Sequence, residues 1–327
     1  MLRWLITIAL LLYVFQKAGL FQAETRRRFI ELVLSADLVM FAISIGIAFI
    51  GNFSNVLKWW MLLRSKGINF GFTRAYAYFM VARFFNLVLP TNVGGDLVRI
   101  HELGQHTGRL AEAAASVFVE RFSGMITLFL LTVVTVLLNI DMFHAPVIIT
   151  SMVLLLPLIC VLYWLIIDER PIHAAQRFMC RGTGSVFKTI FEKIWKVHKA
   201  VAEYQNNLWA LFWAFINSII FYFIAVMNVW ISALAFDPSV EFFKVFTLVP
   251  VLLLIMNLPV SIGGFGLMEF AYAFTFELVG YSTQLAFSVA LLMRLKTFMD
   301  ASIGGLIYLI LSKEKNFRSE IKVNSNS

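Results

Sequence analysis

Six stretches of the chain, near residues 3–20, 37–64, 110–139, 146–167, 207–235 and 283–311, are apolar over lengths that suit a bilayer crossing. A spanning helix needs about 20 predominantly apolar residues. Hydrocarbon offers no partner to a free N–H or C=O, so runs of this kind fold as α-helices. Composition agrees, with 60% hydrophobic and 14% charged residues and a mean hydropathy of +0.83. Such values exclude an ordinary soluble domain. With 327 residues spent largely on spans, a soluble catalytic domain of about 100 residues or more has no room. The expected fold class is an all-α polytopic membrane protein working within the bilayer or at its surface.

One motif interrupts this pattern twice. Leu89-Pro90-Thr91-Asn92-Val93-Gly94-Gly95 returns 169 residues later as Leu258-Pro259-Val260-Ser261-Ile262-Gly263-Gly264. Proline stops the apolar helix before it, and the glycine pair permits a sharp reversal. Each copy therefore reads as the tip of a re-entrant helical hairpin, over 72–107 and over 241–279. A Ser-rich apolar helix carrying arginine follows each one: Ser116-Val117-Phe118-Val119-Glu120-Arg121, and Ser288-Val289-Ala290-Leu291-Leu292-Met293-Arg294. Paired broken helices of this kind mark substrate sites in membrane transporters. Asn86, Asn92, Asn257 and Ser261 flank the turns, placed to satisfy the backbone groups freed there; Asn86 is also a candidate headgroup contact.

Charge then orients the chain. The net charge is +8, with basic groups at 64–74, 170–199 and 313–322. Loops rich in Lys and Arg stay cytoplasmic. Six crossings plus two hairpins put all three groups and both termini on the cytoplasmic side of a cell (inner) membrane, although Lys17 and Arg26-Arg27-Arg28 then fall outside. The hairpins enter from opposite faces, so the halves are inverted. The divisions are 1–36, a first span and outer loop; 37–167, the first half; 168–206, a connector; 207–312, the second half; and 313–327, a disordered tail. Within the connector, Val186, Ile190, Ile194, Val197 and Val201 alternate with Lys188, Lys193, Lys196 and Lys199, the pattern of an amphipathic surface helix. Trp59 and Trp60 suit an interfacial belt. The N-terminal run lacks small residues at the positions a signal-peptide cleavage would need, so an uncleaved span is expected.

Cys160 and Cys180 form no CxxC pair, and the i, i+5 spacing of His101 and His106 puts them on different helix faces. No metal, cofactor or nucleic-acid partner is expected. No GxSxG, HExxH or P-loop is present in the sequence. The chemistry lies instead in charges kept at depth, each costing about 2.5–3.5 kcal/mol at mid-bilayer on insertion scales. Arg121 and Arg294 sit at matching depths behind the two turns, and Arg83 and Arg99 belong to the first hairpin. Guanidinium suits fork-like recognition of phosphate, and the free amides of a broken helix also attract anions. These four arginines, with Asn86, form the candidate site for a lipid phosphate or headgroup. Asp96, Glu120, Glu269 and Asp300 are the charge partners or proton-coupling candidates. Lys296 and Asp300, at i, i+4, read as an internal pair.

The run Arg83-Phe84-Phe85-Asn86-Leu87-Val88-Leu89-Pro90, continuing to Gly94-Gly95-Asp96-Leu97-Val98-Arg99, Ser116 to Arg121 and Gly124, resembles the membrane region of lysylphosphatidylglycerol synthases. Leu258 to Glu269 resembles the second signature of that family, which includes stand-alone flippase-like proteins. The resemblance extends over about residues 5–312. It implies translocation of a lipid with an anionic or modified headgroup between leaflets. It also implies no synthase activity in a chain that ends after a short polar tail; a lipid-biosynthetic enzyme is a candidate partner. Two other functions fit the residues: an enzyme or accessory subunit acting on polyprenyl-linked sugars or glycolipids, with Glu120, Asp96 or Glu269 as acid–base groups, and a scaffold for a lipid-biosynthetic partner.

Overall fold

The computed structural model describes residues 2–18, 22–89, 94–139, 185–258 and 260–324. Every regular element among them is helical. The α-helices are α1 (Leu2–Lys17), α2 (Ala23–Leu34), α3 (Leu38–Ser65), α4 (Phe72–Val88), α5 (Gly94–Thr107), α6 (Leu110–Leu138), α7 (Ser185–Ala202), α8 (Leu208–Leu234), α9 (Phe242–Met256), α10 (Leu267–Leu278) and α11 (Thr283–Asn324). A 3₁₀ turn, Glu203–Asn206, joins α7 to α8. Among the described residues, four helices are long and apolar enough to cross a membrane: α3, α6, α8 and the Thr283–Ser312 part of α11. The protein is thus a multi-pass membrane protein.

The first expected span is α1, whose 16 residues reach about 24 Å, short of the ~30 Å hydrocarbon core. The expected span at 146–167, Cys160, Cys180, Pro90, Asn92 and Pro259 lie outside the described residues. The tail expected to be disordered from Lys313 is instead the continuation of α11 to Asn324. No Gly or Pro lies between Lys313 and Asn324, so nothing local breaks the helix.

The starts of α3 and α8 are set by short polar side chains. The Asp37 carboxylate accepts from the amides of Val39 (2.7 Å) and Met40 (3.1 Å) at the start of α3, and Asn207 accepts from Ala210 at the start of α8 (3.1 Å). Both are N-caps. α3 and α8 run antiparallel. At one end Asp37 N donates to Ala235 O (2.8 Å); at the other the Tyr204 hydroxyl donates to Leu62 O (3.0 Å). The α4/α5 pair opens at the Leu62 end, where Arg74 Nη1 meets His106 Nε2 (2.9 Å) and Arg109 Nη1 donates to Lys66 O (3.1 Å). The α9/α10 pair opens at the Ala235 end, where Trp230 Nε1 donates to Val240 O (3.0 Å) and Glu241 N to the Tyr281 hydroxyl (2.8 Å). The two helical pairs therefore open toward opposite ends of the α3/α8 pair. Their closed ends meet: a Cβ built on Gly263 would lie 3.5 Å from Leu87 O.

Packing exchanges elements between the halves. α4 packs on α11 and α9 packs on α6, so each hairpin's first arm leans on the other half's long helix. Close approach needs glycine. A Cβ on Gly95 would sit 1.9 Å from Ala82 O, and one on Gly304 would sit 2.0 Å from Met80 O. Backbone thus packs on backbone along both sides of α4. One apolar core gathers Trp59, Leu63, Tyr78, Met80 and Leu103, and another gathers Leu248, Leu252, Tyr272, Phe276 and Val289. Trp59 is fully buried and donates to Ser116 Oγ (3.0 Å). It is a core residue rather than part of an interfacial belt, because α6 covers it. α7 docks through Ala200 and Val201 against Leu62, Ala115 and Val119, leaving Ile194, Lys196 and Lys199 exposed.

Candidate functional site

In the first half, α5 opens with Gly94-Gly95-Asp96. The Asn86 side chain accepts from Gly95 N (2.8 Å), so this asparagine satisfies an amide at the break. Asp96 stands at the third position of the helix, where the amide dipoles favour a carboxylate. It grips Arg121 along one edge: Nε to Oδ2 at 3.0 Å and Nη2 to Oδ1 at 3.1 Å. Nη1 has no hydrogen-bond partner among the described residues, and the Arg121 side chain is 49% exposed. Behind this pair lies Arg99, 1% exposed, which reaches Asp96 (3.1 Å) and Glu120 through Nη2. Its Nε and Nη1 find no hydrogen-bond acceptor among the described residues. The rings of Trp59 (4.9 Å) and Phe79 (5.7 Å) flank the guanidinium instead, a cation–π arrangement. Lys58 is buried nearby, donating to Ser218 Oγ (3.2 Å), and a Cβ on Gly124 would lie 3.3 Å from its Nζ.

The second half repeats the pair and closes it. Glu269 is likewise the third residue of its helix, α10, and holds Arg294 through Nε (3.1 Å) and Nη2 (2.8 Å). Arg294 also donates from Nη1 to Gly263 O (3.1 Å) and from Nη2 to Gly264 O (2.8 Å). Glu269 Oε2 accepts from Gly266 N (2.8 Å). The Phe265 ring lies 4.4 Å from the guanidinium, and the side chain is only 7% exposed. α1 seals the turn: a Cβ on Gly266 would lie 2.7 Å from Thr7 O.

The two ion pairs share one spacing. Arg121 and Asp96 are 25 residues apart, as are Arg294 and Glu269. The halves therefore register at 173 residues (294 − 121, 269 − 96), whereas the glycine pairs register at 169 (263 − 94). The four-residue difference has a structural meaning. Gly94-Gly95 already belong to α5, while Gly263 and Gly264, at φ +57° and +71°, form a turn ahead of α10. The expectation that both glycine pairs make a reversal holds only for the second; Gly95 serves close packing instead.

A third ionic group ties the halves together. Arg83 Nη2 donates to Asp300 Oδ2 (2.7 Å) and Asn52 Oδ1 (3.2 Å), and Asn52 Nδ2 donates to Asp300 Oδ1 (2.9 Å). Arg83 is 42% exposed. Lys296 does not pair with Asp300. It donates to Asn228 Oδ1 (2.5 Å) and Ser232 Oγ (2.7 Å). The i, i+4 argument fails here because α3 and α4 offer Asp300 an amide and a guanidinium, while α8 offers Lys296 two oxygens.

Four arginines, Arg83, Arg99, Arg121 and Arg294, are thus matched by four carboxylates, Asp96, Glu120, Glu269 and Asp300, while the buried Lys58 and Lys296 hydrogen-bond to neutral oxygens. A guanidinium that keeps one edge free suits an anion such as phosphate. The half-exposed Arg83 and Arg121 are where one can be reached. The sequence reading missed Asn52, Lys58, Asn228 and Ser232. Each is a polar residue within a largely apolar spanning helix, which is the signal that marks it. The amides opening α5 and α10 already hold Asn86 and Glu269, so the arginines carry the anion chemistry.

No curated protein and no solved structure matches the chain. The family model for the lysylphosphatidylglycerol synthase TM region matches residues 1–305. By that match, over nearly the whole chain, this multi-pass protein with ion pairs at its two helix breaks belongs to the lysylphosphatidylglycerol synthase TM region family.

Proposed function

We propose that the protein moves a phosphate-bearing lipid, such as an anionic phospholipid, between the leaflets of the cell membrane. The observation that carries this reading is that Arg121 and Arg83 are half-exposed within the helical bundle and each is held by a single carboxylate. Such a guanidinium is oriented on one edge and offers the other, the geometry suited to a phosphate oxygen. In this reading the α4/α5 and α9/α10 pairs are re-entrant hairpins entering from opposite faces, and both termini are cytoplasmic, as the basic groups at 64–74, 170–199 and 313–322 favour. The headgroup crosses along the charged groups between the halves while the acyl chains stay in lipid. Rocking of one half against the other alternates access. The protein needs no chemical step of its own for this, and a lipid-biosynthetic enzyme supplies the substrate.

The test is translocation of fluorescent phosphatidylglycerol in proteoliposomes, read by quenching of the outer leaflet. Wild-type protein is expected to expose inner-leaflet probe, and Arg121→Ala to abolish this while inserting and folding normally. Unchanged translocation by that variant would sink the assigned role.

A further inference from the structure

The outer surface between α3 and α4 carries a groove of about 380 Å³ lined by Phe49, Ile50, Phe53 and Tyr76. Its α3 residues lie at the middle of that 28-residue spanning helix, so the groove sits near mid-depth. Ile50 and Phe53 are exposed on the face a bilayer covers. Tyr76 and Arg83 are seven residues apart on α4, which places them on one face about 10 Å apart. Helical side chains slant toward the N-terminus, so Arg83 leans back along that stripe toward Tyr76. Tyr76 accordingly lies within electrostatic reach of both Arg83 and Asp300. Asn52, the next residue to Phe53, holds the same guanidinium from α3. An apolar groove thus lies along the same helical face as a half-exposed cation.

Resting on the transport reading above, we propose that this groove seats the hydrocarbon chain of the lipid whose phosphate binds Arg83. Arg83 is then the chain-side contact, distinct from Arg121 on α6. The aromatic walls give the chain a seat at mid-depth, and the phosphate takes the free edge of the guanidinium while Asn52 and Asp300 hold Nη2. Charge decides the occupant: a groove beside a half-exposed cation favours an anionic lipid over a neutral one of equal chain length. One charge-assisted hydrogen bond contributes about 1.5–3 kcal/mol, or about tenfold or more in occupancy.

The experiment uses the full chain in nanodiscs with phosphatidylglycerol carrying a photoactivatable diazirine in one acyl chain. After irradiation, labelled peptides are mapped by mass spectrometry. Label is expected to concentrate on residues 49–53 and on Tyr76 relative to Phe223, an exposed apolar residue elsewhere. Arg83→Gln should lower that label about tenfold, and diazirine diacylglycerol, which lacks phosphate, should label as weakly in wild-type protein. Ile50→Trp fills the slot without touching the ionic group, and it too should remove the label, which covers the case of Arg83→Gln failing to fold. Equal labelling by the two lipids, or equal labelling of Phe223, would show ordinary bilayer contact and overturn the proposal. Selective labelling without any leaflet movement keeps the groove and discards transport. Continued translocation by Ile50→Trp, with label gone, keeps transport and discards the groove's part in it.

Discussion

Asp96–Arg121 and Glu269–Arg294 are the same device built twice: an acid at the third position of a hairpin's second arm, and an arginine 25 residues later on the following long helix. The first is open, with Arg121 49% exposed, and the second is closed, with Arg294 7% exposed. Two local differences account for this. Four more residues separate the glycine pair from the acid in the second copy, and the turn they make delivers the carbonyls of Gly263 and Gly264 to Arg294. α1 then packs on Gly266, with nothing equivalent over Arg121 among the described residues. The chain thus carries two ion pairs of one design, and their surroundings bury one as a strut and leave the other half-exposed.

The comparison breaks first at the closed pair. Glu269→Ala strands a buried guanidinium, and the loss of one partner of a buried pair costs about 3–5 kcal/mol. Thermal unfolding in detergent should show little folded protein for Glu269→Ala and for Arg294→Ala, while Arg121→Ala should shift stability by no more than about 1 kcal/mol. Equal destabilisation by Arg121→Ala and Arg294→Ala would remove the distinction. The next contrast is between the glycines. Gly95→Ala drives a Cβ into the Ala82 carbonyl and should cost about 1–3 kcal/mol by overpacking. Gly264→Ala has room, its Cβ 3.9 Å from Arg294 Nη1, but a φ of +71°; the left-handed backbone costs about 1–2 kcal/mol. Denaturation of the two variants should rank Gly95→Ala as the worse.

Access is tested by covalent modification. Phenylglyoxal should modify Arg83 and Arg121 and spare Arg99 and Arg294, as peptide mapping would reveal; rapid modification of Arg294 would contradict the seal made by α1. The smallest effect concerns the end where the α4/α5 pair opens. Glu203, outside the spans, donates nothing but accepts from Lys66 (2.9 Å), which holds its carboxyl below the usual 4.5. A depressed carboxyl pKa contributes stability above the unfolded value, and that contribution fades as pH falls below about 4.5 through the folded value. Glu203→Gln should flatten the slight acid loss of thermal stability in this range; with Glu203 half-exposed, the change is small.

Much of this was legible in one dimension. Apolar length determined that the chain is a helical membrane protein, because hydrocarbon leaves the backbone no other arrangement. The repeated Leu-Pro and Gly-Gly elements located two helix breaks, and the charges retained in apolar runs located the ionic groups, since only paired or functional charges survive there. The sequence did not determine which charges pair, because that depends on which helices become neighbours. Lys296 and Asp300 share a helix strip yet turn to α8 and to α3/α4. Nor did it reveal that Gly95 is a packing glycine, that Trp59 is covered by α6, or that α1 closes over Gly266. Arg121 and Arg294 look equivalent along the chain. Only the packing of other elements around them, through a few carbonyl oxygens and one short helix, leaves the first accessible and makes the second part of the frame.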